Sequence, residues 1–294
     1  MTEKEVKISR RSFLKKSIST VLGLGFISIG LYSYARYIEP NLLSVTKTSF
    51  FSPRLPSSFD GITIAQFNDT HIGFQYSEEL LKEHIQKIQS YSPDLIIFTG
   101  DLLDEPNRYN KAAEVIDLLS ELKAPLGKFA VYGNHDHGGY GTDIYADIMK
   151  QSGFIVLRNE VVSLTRNNES ISLSGIDEPM LGRPSFNAIE ESVKSDSFHI
   201  FLSHAPDLAT KMKTFDLQLS GHSHGGQIKL PFVGPIVVPP YADVYSDGRY
   251  TKKMGDHEAM IYVNRGLGTT RMPFRLFSSP ELTFITLKRL EPIE

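Results

Sequence analysis

Apolar runs alternate with amphipathic stretches through most of this chain, and that alternation is the strongest constraint on its fold. Residues 62–67 are rich in β-branched side chains, and residues 94–99 are almost continuously apolar. Between them, residues 77–90 place apolar side chains at helical spacing behind a serine suited to an N-cap. Apolar strands separated by helices are typical of sheets that are covered on both faces. The pattern therefore predicts an α/β domain.

Short polar motifs follow five of the predicted strands. In chain order they are Asp-Thr-His at 69–71, Gly-Asp-Leu-Leu-Asp at 100–104, Gly-Asn-His-Asp at 133–136, Ser-His-Ala at 203–205 and Gly-His-Ser-His at 221–224. Open α/β folds gather their ligands at the carboxyl ends of strands. Carboxylate, amide and imidazole groups bind divalent cations, and the absence of cysteine excludes thiolate ligands. The motifs together predict a metal site.

The spacing within the motifs indicates how two cations would be held. On an extended strand end, Asp69 and His71 would point to one side because side chains alternate, and so would His222 and His224. Asp101 is the natural carboxylate to touch both cations. Two cations about 3.5–4 Å apart can share a hydroxide and hold both oxygens of an in-line phosphoryl displacement. The sequence thus favours phosphoryl chemistry.

These motifs resemble those of the calcineurin-like metallophosphoesterase superfamily, and with the amino terminus they resemble its bacterial twin-arginine-exported branch. The resemblance runs from residue 62 to the end, and includes Gly-Gly-Gln at 225–227 and Asn-Arg-Gly-Leu-Gly at 264–268. It implies a two-sheet α/β/β/α sandwich and two divalent cations, Mn, Zn or Fe. The chain would therefore be a phosphoric ester hydrolase.

The resemblance also implies a role for each motif residue. One cation would be held by Asp69, His71, Asp101 and His224, and the other by Asp101, Asn134, His204 and His222. A hydroxide bridging the cations would be the nucleophile. His135 would protonate the leaving alkoxide, oriented by Asp136. Asp104 is expected to organise its loop rather than to bind metal.

Five further features have a structural interpretation, a functional interpretation or both. Arg275 could bind a substrate phosphate by paired hydrogen bonds, or form an ion pair, and His137 is a second candidate substrate contact. His84 and His199 are expected to be structural. The apolar, proline-rich residues 230–240 could be core and edge strand, or an exposed surface for an apolar substrate or a membrane.

The amino terminus predicts export. Arg10 and Arg11 precede an apolar stretch that has no charge between residues 18 and 35, as in a twin-arginine signal or a membrane anchor with basic residues on its cytoplasmic side. The predicted organisation is a signal or anchor at 1–35, a linker at 36–58 and the catalytic domain at 59–294, with a candidate cleavage site after Ala35. The twin-arginine translocase would be a transient partner.

Charge narrows the range of substrates. Residues 36–294 carry 25 Lys and Arg against 32 Asp and Glu, a formal net charge of −7, which disfavours general binding of nucleic acid. We therefore expect an envelope phosphodiester or a pyrophosphate-linked lipid as substrate, with the protein in the cell wall, at the outer face of the membrane, or secreted.

Three alternatives stay open at this point. The first is an extracellular nuclease or nucleotidase. The second is a non-catalytic module that binds cell wall or membrane, which predicts degraded motifs. The third is a two-metal amidohydrolase, which typically opens with His-x-His rather than Asp-x-His.

Overall fold

The computed structural model describes residues 9–137, 142–194 and 196–290. The helices are α1 (Arg10–Ser33), α2 (Glu78–Ser90), α3 (Ala112–Ser120), α4 (Thr142–Gln151) and α5 (Phe186–Glu190). One six-stranded sheet contains, in spatial order, β1 (Ser44–Ser52), β14 (Glu281–Arg289), β2 (Thr63–Phe67), β3 (Leu95–Phe98), β4 (Lys128–Ala130) and β5 (Ile155–Val156). The other contains β12 (Gly248–Met254), β13 (His257–Val263), β9 (Leu217–Ser220), β8 (His199–Leu202), β7 (Glu169–Gly175) and β6 (Glu160–Arg166). A two-stranded ribbon joins β10 (Lys229–Leu230) to β11 (Gly234–Pro235).

The two sheets face each other across an apolar core. Ile64 and Ile97 of the first sheet are fully buried in one cluster with Leu173 and Leu219 of the second. On the outer face of the first sheet, Phe67 and its neighbours pack against α2, α3 and α4. The outer face of the second sheet is covered more thinly, by α5 and a 3₁₀ turn at Pro206–Thr210. The predicted α/β/β/α sandwich is confirmed.

Parallel pairing brings the polar motifs to one edge of the sandwich. β2, β3 and β4 are parallel in one sheet, and β8 and β9 are parallel in the other. The side-chain amide of Gln66 in β2 donates to the carbonyl of Ser220 in β9, at 2.9 Å, and so joins the two sheets beside this edge. The loops that follow these strands therefore meet in one place.

The predicted linker at residues 36–58 contains a full strand. β1 pairs in parallel with β14 along all nine of its residues. Upstream of β1, the buried carboxylate of Glu39 accepts hydrogen bonds from the backbone N–H groups of Phe277 and Ser278, at 3.0 and 2.6 Å. This part of the chain belongs to the folded domain, and its partners lie too far along the sequence for local composition to reveal them.

Two histidines away from the motifs are structural. The ring of His199 is hydrogen-bonded through Nε2 to the Ser174 hydroxyl (2.6 Å) and donates from Nδ1 to the Thr214 carbonyl (3.1 Å). His84 contacts the Tyr76 hydroxyl at 2.7 Å. Burial lowers the pKa of each imidazole to about 4. Both rings are therefore neutral in the folded protein.

Acid should destabilise the fold through these two groups. Their folded pKa lies below the unfolded value of about 6.5, so the unfolded chain binds more protons between pH 6.5 and 4. Above pH 6.5 the two neutral histidines make their full contribution to the free energy of unfolding. Up to about 3 kcal/mol per histidine is lost as the pH falls to about 4. Urea unfolding of the full chain at stepwise pH should show this, and His199→Gln should reduce proton uptake by about one. A His199 ring that titrates near pH 6.5 by NMR would contradict the account.

Candidate metal centre

Asp101 is the central carboxylate of the site. Its Oδ1 accepts a hydrogen bond from the backbone N–H of His135 at 2.8 Å. Its Oδ2 lies 3.4 Å from Nε2 of His71 and 3.4 Å from Nε2 of His204. The side chain is almost fully buried. One oxygen is thus fixed by the backbone, and the other lies between two imidazoles on different loops.

The two carboxylate oxygens of Asp69 also have different surroundings. Its Oδ2 accepts hydrogen bonds from the backbone N–H of His222, at 2.9 Å, and from the Asn68 side chain. Its Oδ1 is buried, has no hydrogen-bond partner among the described residues and lies 3.4 Å from Nε2 of His224. An unpaired buried carboxylate oxygen is costly unless a cation compensates for it. This oxygen therefore fits a metal ligand.

Carbonyl groups on the far side of two imidazoles set their tautomers. His204 donates from Nδ1 to the Thr99 carbonyl (2.7 Å), and His222 donates from Nε2 to the Pro240 carbonyl (2.9 Å). The inner nitrogens are therefore directed at one another, 3.0 Å apart, and Oδ1 of Asn134 lies 3.3 Å from that of His204. Imidazoles held from behind by an acceptor are typical of metal ligands.

Six of the seven predicted ligands form two neighbouring groups, and the seventh, Asn134, lies beside His204 of the second group. Asp69, His71 and His224 form one, and Asp101, His204 and His222 form the other, with the ligand atoms of each group within 4.8 Å of one another. Nε2 of His71 and Nε2 of His224 are 3.1 Å apart. This nitrogen and oxygen donor set suits Mn, Zn or Fe. The residues present therefore fit divalent cations.

The backbone brings these ligands together in a way that the sequence did not reveal. Asp69 (φ 50°), His71 (φ 44°), His222 (φ 71°) and His224 (φ 49°) are all left-handed, as is Asp101 (φ 60°). The prediction that alternation along an extended strand aligns each pair was therefore wrong. Left-handed non-glycine residues cost about 1–2 kcal/mol each and cluster at functional sites. The surrounding fold must offset that cost.

Two glycines permit the close approach of these loops. A Cβ at Gly133 would overlap with the Asp101 carboxylate, and one at Gly268 would overlap with the carbonyl of Thr70. The segment 264–268 thus packs directly beneath the first motif, where the backbone N–H of Gly268 donates to the Asp69 carbonyl at 2.7 Å. This contact accounts for a glycine-containing motif so far along the chain.

His135 lies at the edge of the site, but Asp136 does not orient it. The His135 ring donates from Nδ1 to the backbone carbonyl of Asp104 at 2.8 Å and lies edge-on to His71, with ring centroids 4.5 Å apart. Asp136 is buried and instead accepts hydrogen bonds from the backbone N–H groups of Asp101, Leu102 and Gly133, at 2.7, 3.0 and 2.9 Å. Asp104 therefore orients His135, and Asp136 braces two loops.

Asp104 also touches the site through its side chain. Its Oδ1 lies 3.2 Å from Nδ1 of His71. The expectation that Asp104 organises its loop agrees with these contacts. The backbone carbonyls of Thr99, Asp104 and Pro240, which support the site, could not be predicted from the sequence. Every residue type has a backbone carbonyl, so no residue type indicates one that accepts such a hydrogen bond.

The charges of the site perturb one another strongly. Burial lowers the pKa of His204, but the Asp101 carboxylate more than reverses this and raises the pKa to about 10. Burial and the neighbouring His204 lower the pKa of His222 to about 3. Burial raises the pKa of Asp101, but His204 and His135 outweigh it and hold that pKa well below its ordinary value. Opposed shifts in one cluster are typical of functional sites.

The two predicted substrate contacts lie in the interior. Arg275 is fully buried, and its guanidinium donates to the backbone carbonyls of Arg265, Gly266, Gly268 and Ser278. Oδ1 of Asp177 lies 2.5 Å from Nε2 of the buried His137. Neither placement supports a substrate contact, and neither side chain is a surface ion pair. Both side chains support loops around the site.

Comparison with known proteins agrees with this geometry. The family model "Calcineurin-like phosphoesterase" matches residues 62–226, which contain all five motifs. The chain is 44% identical to an uncharacterized metallophosphoesterase of Bacillus subtilis over 96% of its own length and 98% of the relative.

More distant relatives cover most of the chain as well. It is 31% identical to an uncharacterized metallophosphoesterase of Aquifex aeolicus, over 90% of its own length and 98% of the relative. It is 29% identical to a UDP-2,3-diacylglucosamine pyrophosphatase of Chlamydia muridarum, over 85% of its own length and 90% of the relative.

Exchange of Asp101 should separate metal binding from catalysis. Asp101→Asn keeps an acceptor for the His135 N–H but loses the negative charge between two imidazoles, so we expect tightly held manganese to fall from two ions to one or fewer. His135 lies with His71 and Asp104 in a third group of side chains that could hold a cation, but its Nδ1 is bonded to the Asp104 carbonyl and it is not one of the seven predicted ligands, so His135→Ala should keep both ions. Metal content after gel filtration measures this, and an equal loss in both variants would refute this assignment.

Exchange of Arg275 should affect stability rather than substrate affinity. Arg275→Met leaves the carbonyls of Arg265, Gly268 and Ser278 without a donor, whereas the Gly266 carbonyl keeps the backbone N–H of Glu281, so we expect the free energy of unfolding to fall by about 3 kcal/mol or more. Arg271→Met, at an exposed arginine nearby, is the matched control and should cost less than about 0.5 kcal/mol. Urea unfolding measures both. Unchanged stability with a raised KM in Arg275→Met would restore the substrate role.

Proposed function

This chain belongs to the calcineurin-like phosphoesterase family and is a metallophosphoesterase, and we propose that it uses two metal ions to hydrolyse phosphodiester or pyrophosphate bonds at the cell envelope. The observation that carries this proposal is the position of Asp101 Oδ2, at 3.4 Å from imidazole nitrogens of both ligand groups. A carboxylate oxygen that lies between the two ligand groups suits two cations held close together better than two cations at distant sites.

The ligands divide between two ions. Asp69, His71, Asp101 and His224 would hold one, and Asp101, Asn134, His204 and His222 the other, with Mn, Zn or Fe as the candidate metals. When bound, such a pair supplies positive charge to the phosphoryl oxygens and lowers the pKa of water. The protein holds the ligands rigidly, because the outer nitrogens and oxygens of the set are bonded to backbone groups.

His135 is placed to assist the leaving group. Its Nδ1–H is fixed on the Asp104 carbonyl, so Nε2 is the atom that would carry a proton to the departing oxygen. Burial lowers the pKa of His135, but the carboxylate of Asp101 and the carbonyl of Asp104 outweigh it and raise that pKa above its ordinary value. This direction favours the protonated imidazole, which is the form that a general acid requires.

The relatives support a lipid-linked pyrophosphate as the substrate class. Two chlamydial relatives are UDP-2,3-diacylglucosamine pyrophosphatases, which act on a nucleotide-linked lipid. The apolar helix α1 could be an export signal or a membrane anchor, and an anchor would hold the domain at the envelope. Arg10 and Arg11 at its start support passage through the twin-arginine translocase. The net charge of residues 36–294 counts against the nuclease alternative.

Hydrolysis of bis-p-nitrophenyl phosphate by the full chain in detergent tests the reaction class. Metal-stripped protein should be inactive and should recover on addition of manganese. His135→Ala should lower kcat by about 10²–10⁴-fold at unchanged manganese content, as expected for loss of a general acid. His257→Ala, a half-buried histidine on β13, is the matched control and should keep kcat.

Three results would count against the proposal. Turnover without metal would contradict a metal-dependent reaction. Equal kcat in His135→Ala and the unaltered protein would remove the proton-donor role. Faster cleavage of duplex DNA than of a lipid pyrophosphate would favour the nuclease alternative.

A further inference from the structure

We propose that the protein keeps α1 as a membrane anchor and that an apolar rim beside the metal centre is seated in the same bilayer. The apolar rim is defined by six exposed side chains, those of Phe232, Val233, Ile236, Val237, Met272 and Phe277. This proposal concerns a lipid surface and does not depend on the hydrolytic reaction.

Helix α1 has the dimensions and flanking residues of a membrane span. Residues 17–35 are 19 uncharged positions, about 28 Å of helix, against a hydrocarbon thickness of about 30 Å. Its side chains are exposed, including Phe26 at 76%. Lys15 and Lys16 precede the apolar stretch, and the exposed rings of Tyr32 and Tyr37 stand at its other end, where aromatic side chains favour the membrane interface.

The helix runs into the domain without a flexible tether. A continuous helical path extends from Arg10 to Asn41. The carbonyl of the buried Ala35 accepts a hydrogen bond from the backbone N–H of Arg275 at 3.0 Å, and the Tyr32 and Phe274 rings are in contact, with centroids 5.4 Å apart. The domain surface around this junction would therefore be held against the bilayer. Cleavage after Ala35 would remove both of these contacts.

The apolar rim lies on the segments that form this junction. Met272 and Phe277 flank Arg275, and they are 51% and 58% exposed. The ribbon is joined to them because the backbone N–H of Lys229 donates to the Leu276 carbonyl at 2.9 Å. At the ribbon tip, Phe232 is fully exposed.

One bilayer would cover every part of this surface. Neighbouring exposed apolar side chains mark a surface that is covered by a partner or a membrane. Because α1 is long and apolar enough to cross a bilayer and joins the domain at this place, a bilayer is an occupant that would cover both the helix and the rim.

The same segments border the metal centre. The Ser278 hydroxyl donates to the His224 carbonyl at 2.9 Å, and the Gln227 amide donates to the Thr270 carbonyl at 3.1 Å. The ribbon begins five residues after His224. A membrane seated on the rim would therefore lie beside the ligand loops, and an amphiphile could reach them without leaving the bilayer surface.

A single introduced tryptophan can report whether the apolar rim lies in the bilayer, because the chain contains no other tryptophan. Phe232→Trp in the full chain would be placed in nanodiscs of phosphatidylethanolamine and phosphatidylglycerol, with and without brominated acyl chains. The matched control is Phe51→Trp, at a phenylalanine 52% exposed near the far end of β1, about 23 Å along that strand from Ser44. Val237→Trp is a second reporter, should the first variant fold poorly.

The fluorescence of the Phe232→Trp variant should be quenched at least twofold by the brominated lipid, and it should lie at shorter wavelength than that of the Phe51→Trp control. The brominated lipid should not quench the control. Equal response of the two reporters, or quenching of the Phe232→Trp variant by aqueous iodide but not by lipid, would overturn the proposal. Short-wavelength emission from that variant without lipid quenching would show that protein, such as a second copy, covers the rim, and would overturn it as well.

Discussion

The Asp101 carboxylate is the interaction on which the rest of the site depends. Its two oxygens have different partners, a backbone N–H on one side and imidazoles of both ligand groups on the other. For the two oxygens to have these different partners, the loops after β3 and β4 must touch. The absence of a side chain at Gly133 permits this contact, and the three hydrogen bonds that Asp136 accepts maintain it. A network of backbone hydrogen bonds thus fixes a group that otherwise would be a costly buried charge.

The sandwich and the convergence of the motifs could be predicted because both follow from short-range patterns. Residues 94–99 are apolar enough to predict a strand buried on both faces, and the structure buries all four residues of β3. The rule that ligands gather at the carboxyl ends of parallel strands then placed the loops after β2, β3, β8 and β9 together. Residue type alone indicated divalent cations, since carboxylates and imidazoles were the only strong donors in the motifs.

The details that failed depend on contacts that no local pattern encodes. The left-handed backbone at Asp69 and His222 is imposed by the neighbouring loops, so strand alternation was the wrong guide. Arg275 resembles a phosphate ligand in sequence, yet backbone carbonyls enclose it. β1 was mistaken for a linker because its strand partner, β14, lies at the other end of the domain. In each case the partner is distant in sequence or is a backbone atom.

Crystals of the full chain soaked in manganese would test the central claim most directly, through anomalous scattering at the manganese edge. The account predicts two peaks about 3.5–4 Å apart, with Oδ2 of Asp101 in contact with both. A single peak, or two peaks that do not share the Asp101 carboxylate, would contradict it.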